Sequence, residues 1–311
     1  MIHAGRKYRL QGMWRDQMQR YFYPDKNHPT SNHHPDMKRL LTALFLLSFV
    51  HNGISQSNPD WKANKLKDKV RSVSLLENYR YKREGKFTEW EILYNTKMSF
   101  DKSGRYTEYA SMTPGGDLSY KTTYAYFAAE KRAVLTYHKK DENPFVTKHW
   151  RYNAQGLLSE IQEYNKDNTA GWRYVHTYDE KGNRVTLDSY KPEGTFYSKT
   201  SSTFDAKGNE TGYLLQTTGY ANSSRKYTYD DKGNKTEEIW MNGKNETDFR
   251  FVRAYDAYGS MTEESTYKKD KLIGKVTWQY VYDKKGNWIR RTQYSNEGVD
   301  FDVAERTIVY Y

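Results

Sequence analysis

The sequence predicts an all-β fold: an antiparallel β-meander of 26-residue hairpin repeats, forming a wide, twisted and curled sheet. The first observation behind this is a recurring turn. Tyr229-Asp230-Asp231-Lys232-Gly233-Asn234 returns at 178–183, 204–209 and 282–287, and more loosely at 100–104, 152–156 and 255–259. Its second residue falls at 101, 153, 179, 205, 230, 256 and 283, and Phe127 marks a degenerate copy that has lost both Asp and Gly. The second observation is composition. Thirty tyrosines, 7 prolines and no cysteine in 311 residues suit half-buried strands better than a large helical core. The third is alternation. Residues 172, 174, 176 and 178 share one strand face, and the matching positions elsewhere are Trp150 and Tyr152, Tyr227 and Tyr229, Phe249 and Phe251, and Trp278, Tyr280 and Tyr282.

Taken in order, residues 1–36 read as an upstream extension, either disordered or preceding the natural start. Their clustered His28, His33 and His34 have no ordered scaffold to hold a metal. Residues 37–57 read as a signal peptide: basic Met37-Lys38-Arg39, an apolar run over 40–50, then Gly53 and Ser55 ahead of a cut before Gln56. The eleven-residue run is short of the roughly 20 apolar residues a membrane helix needs. The mature chain is therefore expected without a membrane span, secreted or held in the periplasm or cell envelope. Without a cysteine, no lipid anchor is expected at the cut. Residues 58–95 read as an N-terminal cap with an irregular hairpin near 83–86.

Residues 96–311 form the repeat array. Each unit is an aromatic-bearing strand, an Asp-x-x-Gly turn, and a return strand that often ends on a Tyr, as at Tyr164, Tyr190, Tyr267 and Tyr294. In the turn, Gly supplies positive φ and Asp bonds the backbone two residues on. Second turns follow at 191–194, 241–244 and 295–298. About seventeen strands result, with the aromatic ladder on the concave face.

The aromatic-Asp-x-x-Gly-Asn pattern, with Thr236-Glu237 and Thr262-Glu263 after the turn, resembles the YD repeats of the Rhs family. It is most similar to the repeat-only secreted proteins common in Bacteroidetes, and the resemblance covers 96–311. It implies a wound β-strip and a role in scaffolding, encapsulation or surface adhesion. The chain is short for a large shell, has no Asp-Pro-x-Gly self-cleavage motif and carries no toxin domain after the repeats, so encapsulation is not expected.

The formal charge is +11, but only +6 of it lies beyond residue 39, spread over 42 basic and 36 acidic residues. That is no nucleic-acid footprint. No enzyme is expected either. His138, His149 and His176 fall within strands, and a repeat offers equivalent carboxylates where glycoside hydrolysis needs one asymmetric pair. A hydrolase acting on cell-surface polysaccharide is the remote alternative. Asp101, Gly104, Asp179, Gly182, Asp205, Gly208, Asp230, Gly233, Asp256, Gly259, Asp283 and Gly286 are expected to be structural turn residues. A row of such carboxylates could bind Ca²⁺ through oxygen ligands, but each has a local task, and no cofactor is expected.

The expected function is non-catalytic binding of a glycan or protein at the cell surface through the aromatic face, with a ligand-free scaffold as the alternative. The expected binding residues are Trp278, Tyr280, Trp288 and Tyr294, with Lys275, Arg290 and Arg291 favouring an acidic partner. The exposure of Trp150, Trp172, Trp240, Trp278 and Trp288 discriminates a binding face from a core.

Overall fold

The computed structural model describes residues 60–83, 86–130, 132–139, 146–296 and 298–311. The upstream extension, the signal segment and the tip of the 83–86 hairpin lie outside the described residues. A single helical turn, α1 (Asp60–Ala63), leads into β1 (Val70–Tyr79), and two short strands, β2 (Lys82–Arg83) and β3 (Lys86–Phe87), pair with each other. The array then runs through β4 (Glu91–Phe100), β5 (Tyr106–Met112), β6 (Leu118–Phe127), β7 (Arg132–Lys139), β8 (Val146–Tyr152) and β9 (Leu158–Asn165). It continues with β10 (Ala170–Tyr178), β11 (Arg184–Tyr190), β12 (Phe196–Phe204), β13 (Glu210–Thr217), β14 (Ser223–Tyr229) and β15 (Lys235–Met241). The last strands are β16 (Thr247–Tyr255), β17 (Met261–Lys268), β18 (Lys271–Tyr282), β19 (Trp288–Tyr294) and β20 (Asp300–Tyr310).

From β4 to β20 every strand pairs antiparallel with its successor. The ends of that run do not stay free. Val73 of β1 lies opposite Met98 of β4 on one side and Ile308 of β20 on the other. The 18-stranded sheet is thus a closed antiparallel barrel. This corrects the expectation of an open, curled Rhs-like sheet. The physical reason lies in residues 70–79, which the sequence reading placed in an irregular cap. They form a regular strand, with Val70 and Val73 at 0% exposure, and that strand satisfies both edges the array would otherwise leave unpaired.

The Asp-x-x-Gly turns all lie at one rim and share one construction. In the turn after β10, Asp179 Oδ1 accepts from the amides of Lys181 (3.0 Å) and Asn183 (2.8 Å), and the Gly182 amide donates to the Asp179 carbonyl (3.0 Å). Gly182 sits at φ 83°, and its equivalents at 104, 208, 233, 259 and 286 lie between 77° and 86°. Each such turn coincides with a one-residue register shift, as between Thr177 and Tyr178. The degenerate copy is informative by contrast: Phe127 pairs with Arg132 across an unshifted ladder. The bulge therefore follows the positive-φ glycine.

In several units a tyrosine hydroxyl ties the unit to the one before it. Tyr178 donates to the Leu158 carbonyl (2.6 Å), Tyr229 to Glu210 (2.7 Å) and Tyr255 to Lys235 (2.7 Å). In the last two units the partner changes, because the turn carboxylate is free to receive it. In the central turns the Asn side chain occupies Asp Oδ2, as Asn234 does on Asp230 at 2.8 Å. Ser260 has no amide to do this, and Asn287 is diverted to the Lys67 carbonyl (2.9 Å), so Tyr282 and Tyr310 donate to Asp256 and Asp283 instead.

Residues 60–69 lie along the same rim. The Trp61 amide donates to the Gly104 carbonyl, Asn64 donates to the Tyr106 hydroxyl, Lys67 exchanges two hydrogen bonds with the Asn287 side chain, and Lys65 reaches the Gly259 carbonyl. Leu66 is buried with Val70, Val73, Met98, Phe100 and Tyr106, with Trp61 and Tyr124 packed against them.

Candidate functional site: the inner wall of the barrel

Burial and cross-strand register together distinguish the two faces of the sheet. Leu135, Trp150, Ile161, Leu187, Tyr227, Phe251 and Ala304, each below 9% exposed, occupy one parity, which is the inner face. The outer face carries charged side chains paired across strands: Arg151 with Glu160, Lys199 with Asp188, Arg250 with Glu237, Lys275 with Glu263 and Arg290 with Glu305. A lipid-facing barrel needs an apolar outer band roughly 25 Å tall. These cross-strand charge pairs interrupt the outer face.

Closed barrels of about 16–18 strands are in general wider than those that interior side chains fill. The inner wall reads accordingly. Trp150 is 2% exposed, but Trp172, Trp240, Trp278 and Trp288 are half-buried. Ionic groups sit among the aromatics in three places. On β8 and β9, Lys148 pairs with Glu163 at 2.8 Å beside the Tyr137 ring. On β14 to β17, Arg253 bridges Glu238 (3.0 Å) and Glu264 (2.8 Å), while Arg225 stacks on Trp240, 4.6 Å from its centroid. Burial works against the Glu238 carboxylate. The Trp240 hydrogen bond (2.6 Å) and the Lys235 and Arg253 charges outweigh it and hold its pKa below the ordinary value.

The third place is the closure seam. Arg291 of β19 reaches Glu77 of β1 at 2.7 Å and Asp302 of β20 at 3.1 Å. Burial, with the adjacent Asp302 charge adding to it against Arg291, pushes Glu77 up to about 8. Arg306 lies beside this group with its guanidinium 3.5 Å from the Trp288 ring centroid. Burial and the neighbouring Arg291 charge lower its pKa to about 10, so it remains a cation at neutral pH.

The seven expected binding residues do not share a surface. Trp278, Tyr280, Trp288 and Arg291 face inward, and the Tyr280 and Trp288 rings are 6.3 Å apart. Lys275, Arg290 and Tyr294 face outward. The two cations are held by Glu263 and Glu305, and Tyr294 donates to Gln279. Arg291 is occupied by two carboxyl groups. Sequence reasoning missed Glu77, Asp302 and Arg306. For the last two a signal existed, because 302, 304 and 306 share parity with Tyr310 on the final strand.

The turn carboxylates are engaged locally, Oδ1 by backbone amides and Oδ2 by an Asn, Arg or Tyr side chain. Among the described residues, no group of three or more His, Cys, Asp or Glu is arranged to hold a metal ion. No helix among them is long and apolar enough to cross a membrane.

Fold and wall together define a closed 18-stranded antiparallel β-barrel with a charged outer face and an aromatic, ionic inner one. No protein-family model matches the chain, and no curated protein matches it. Among solved structures it is similar to a porin-like protein from Bacteroides uniformis, at 12% identity and a TM-score of 0.46, covering 78% of this chain and 99% of that one. A porin-like protein from Bacteroides vulgatus follows at 11% identity and a TM-score of 0.36, with the same coverage. A Photorhabdus luminescens Tc holotoxin pore shares 13% identity at a TM-score of 0.29 over 70% of this chain and 13% of that one.

Proposed function

We propose that the protein is an exported, envelope-associated, non-catalytic barrel that holds a saccharide against its inner wall. The observation that carries this reading is the partial exposure of Trp172, Trp240, Trp278 and Trp288 on the inner wall, behind an outer face that carries cross-strand ion pairs. A sugar's CH face stacks on an aromatic ring, and partly exposed indoles on an inward-facing wall offer that contact. Ionic groups on the same wall pair with each other beside the indoles, as Arg253 does with Glu238 and Glu264, which suits binding. The test is a glycan array probed with the mature chain, repeated with Trp278→Ala and Trp288→Ala. Binding that weakens at least tenfold in either variant, with unchanged far-UV circular dichroism, supports the reading. No binding to any saccharide by the parent leaves a ligand-free scaffold.

A further inference from the structure

The closure seam leaves one of its cations without an ionic partner. Two guanidinium groups, Arg291 and Arg306, face two carboxyl groups, Glu77 and Asp302, in a patch enclosed by β1, β18, β19 and β20. Arg291 takes both carboxyls. Among the described residues, Arg306 has no ion-pair partner, its Nε is buried without a hydrogen bond, and its one close contact is the Trp288 ring. A largely buried guanidinium without a counter-ion is costly, and an unpaired donor in a low-dielectric site adds its own desolvation penalty. Glu77 does not relieve this, because its carboxyl is held by Arg291 at 2.7 Å and burial raises its pKa above the ordinary value. The groups that face Arg306 electrostatically are Arg291, Glu77, Tyr280 and Tyr106, and only Glu77 could balance it.

We propose that Arg306 is the recognition point for the anionic substituent of an acidic saccharide whose ring lies against the indoles of the same wall. This rests on the reading of the inner wall as a saccharide site and adds the class of sugar to it. A carboxylate or sulfate on the ligand gives Arg306 the partner that Glu77 and Asp302, both held by Arg291, do not. Arg306 is suited to this because its planar fork binds an anion through two parallel hydrogen bonds while its face stays on Trp288. The cations that the sequence suggested for this task, Lys275 and Arg290, are outside the barrel and paired.

The experiment is isothermal titration of the full mature chain with three tetrasaccharides: a galacturonate oligomer, its methyl ester and a sulfated glycosaminoglycan fragment. The ester keeps the sugar ring and removes the charge. The expected result is that at least one acidic oligomer binds tenfold or more tighter than the ester. Arg306→Gln should reduce that ligand to the affinity of the ester, and Arg306→Lys should retain an intermediate affinity that falls with added salt. Equal affinity for acid and ester in the parent protein overturns the proposal while leaving the saccharide site standing. Binding of the ester alone does the same. No binding of any saccharide removes both readings. An acid preference that survives Arg306→Gln in a folded variant assigns the anion to another group and also overturns it.

Discussion

At the scale of single residues, the Asp-x-x-Gly turn sets the geometry and the exposed lysine within it does not. Gly233 has φ 81°, and the nearest atom to an added Cβ would be Asn209 Oδ1 at 3.7 Å, so space is available and the backbone conformation is the constraint. Gly233→Val is expected to cost more than ~1 kcal/mol through that strain. Lys232→Ala, in the same turn and exposed, should change stability by no more than about 0.5 kcal/mol. Urea midpoints of the two variants check this, and equal effects would mean that the turn is not specified by its glycine. The turn was legible because it is a local object: six consecutive residues contain the donor, the acceptor and the positive-φ position.

At the scale of elements, β1 and the segment before it hold the ring shut. Arg291 and Arg290 are neighbours on β19 with opposite tasks, one inside bridging Glu77 and Asp302, the other outside with Glu305 at 3.4 Å. Arg291→Ala strands two buried carboxyls and is expected to cost roughly 3–5 kcal/mol. Arg290→Ala removes an exposed pair and should cost no more than about 0.5–1 kcal/mol. Denaturant titration of both variants tests the assignment of faces.

The rim segment has a pH signature. Asp60 is 1% exposed, accepts from the Tyr106 amide at 2.5 Å and keeps an unpartnered Oδ1; burial raises its pKa from 3.8 to about 7. A raised carboxyl favours the fold when protonated, so its contribution is full below about pH 4 and is lost as pH rises through about 7. Asp60→Asn keeps the acceptor for the amide and removes the ionisation. It should match the parent near pH 4 and melt at least ~2 °C higher at pH 8.5. A constant difference across that range would show that Asp60 does not titrate in the segment.

At the scale of the whole molecule, closure changes how the repeats depend on one another. An open array of hairpins frays at its terminal units, because each unit contacts only its neighbours. In the ring, β1 is paired on both edges, with β4 and β20. Native-state hydrogen exchange is therefore expected to protect β1 and β20 amides to the same degree as β11 to β14, near the global unfolding limit. Protection that declines from the middle of the array toward both ends would identify an open sheet in solution.

The sequence by itself determined the 26-residue period, the hairpin as its unit, the turn chemistry and the parity that gathers the aromatics on one face. All of these are set by residues within a few positions of each other, through alternation and positive φ. The expected binding set grouped Lys275 with Trp278, three residues apart on one strand, although alternation places them on opposite faces. Trp288 and Arg291 are likewise three apart, yet they share the inner face, because the register shifts by one residue at the start of β19. Only the tertiary structure decided that the sheet closes and that Glu77 meets Arg291 across 214 positions of sequence. It alone left Arg306 unpaired beside them. Closure depends on twist accumulated over the whole run of strands and on an edge match between β1, β4 and β20. No local residue pattern encodes either.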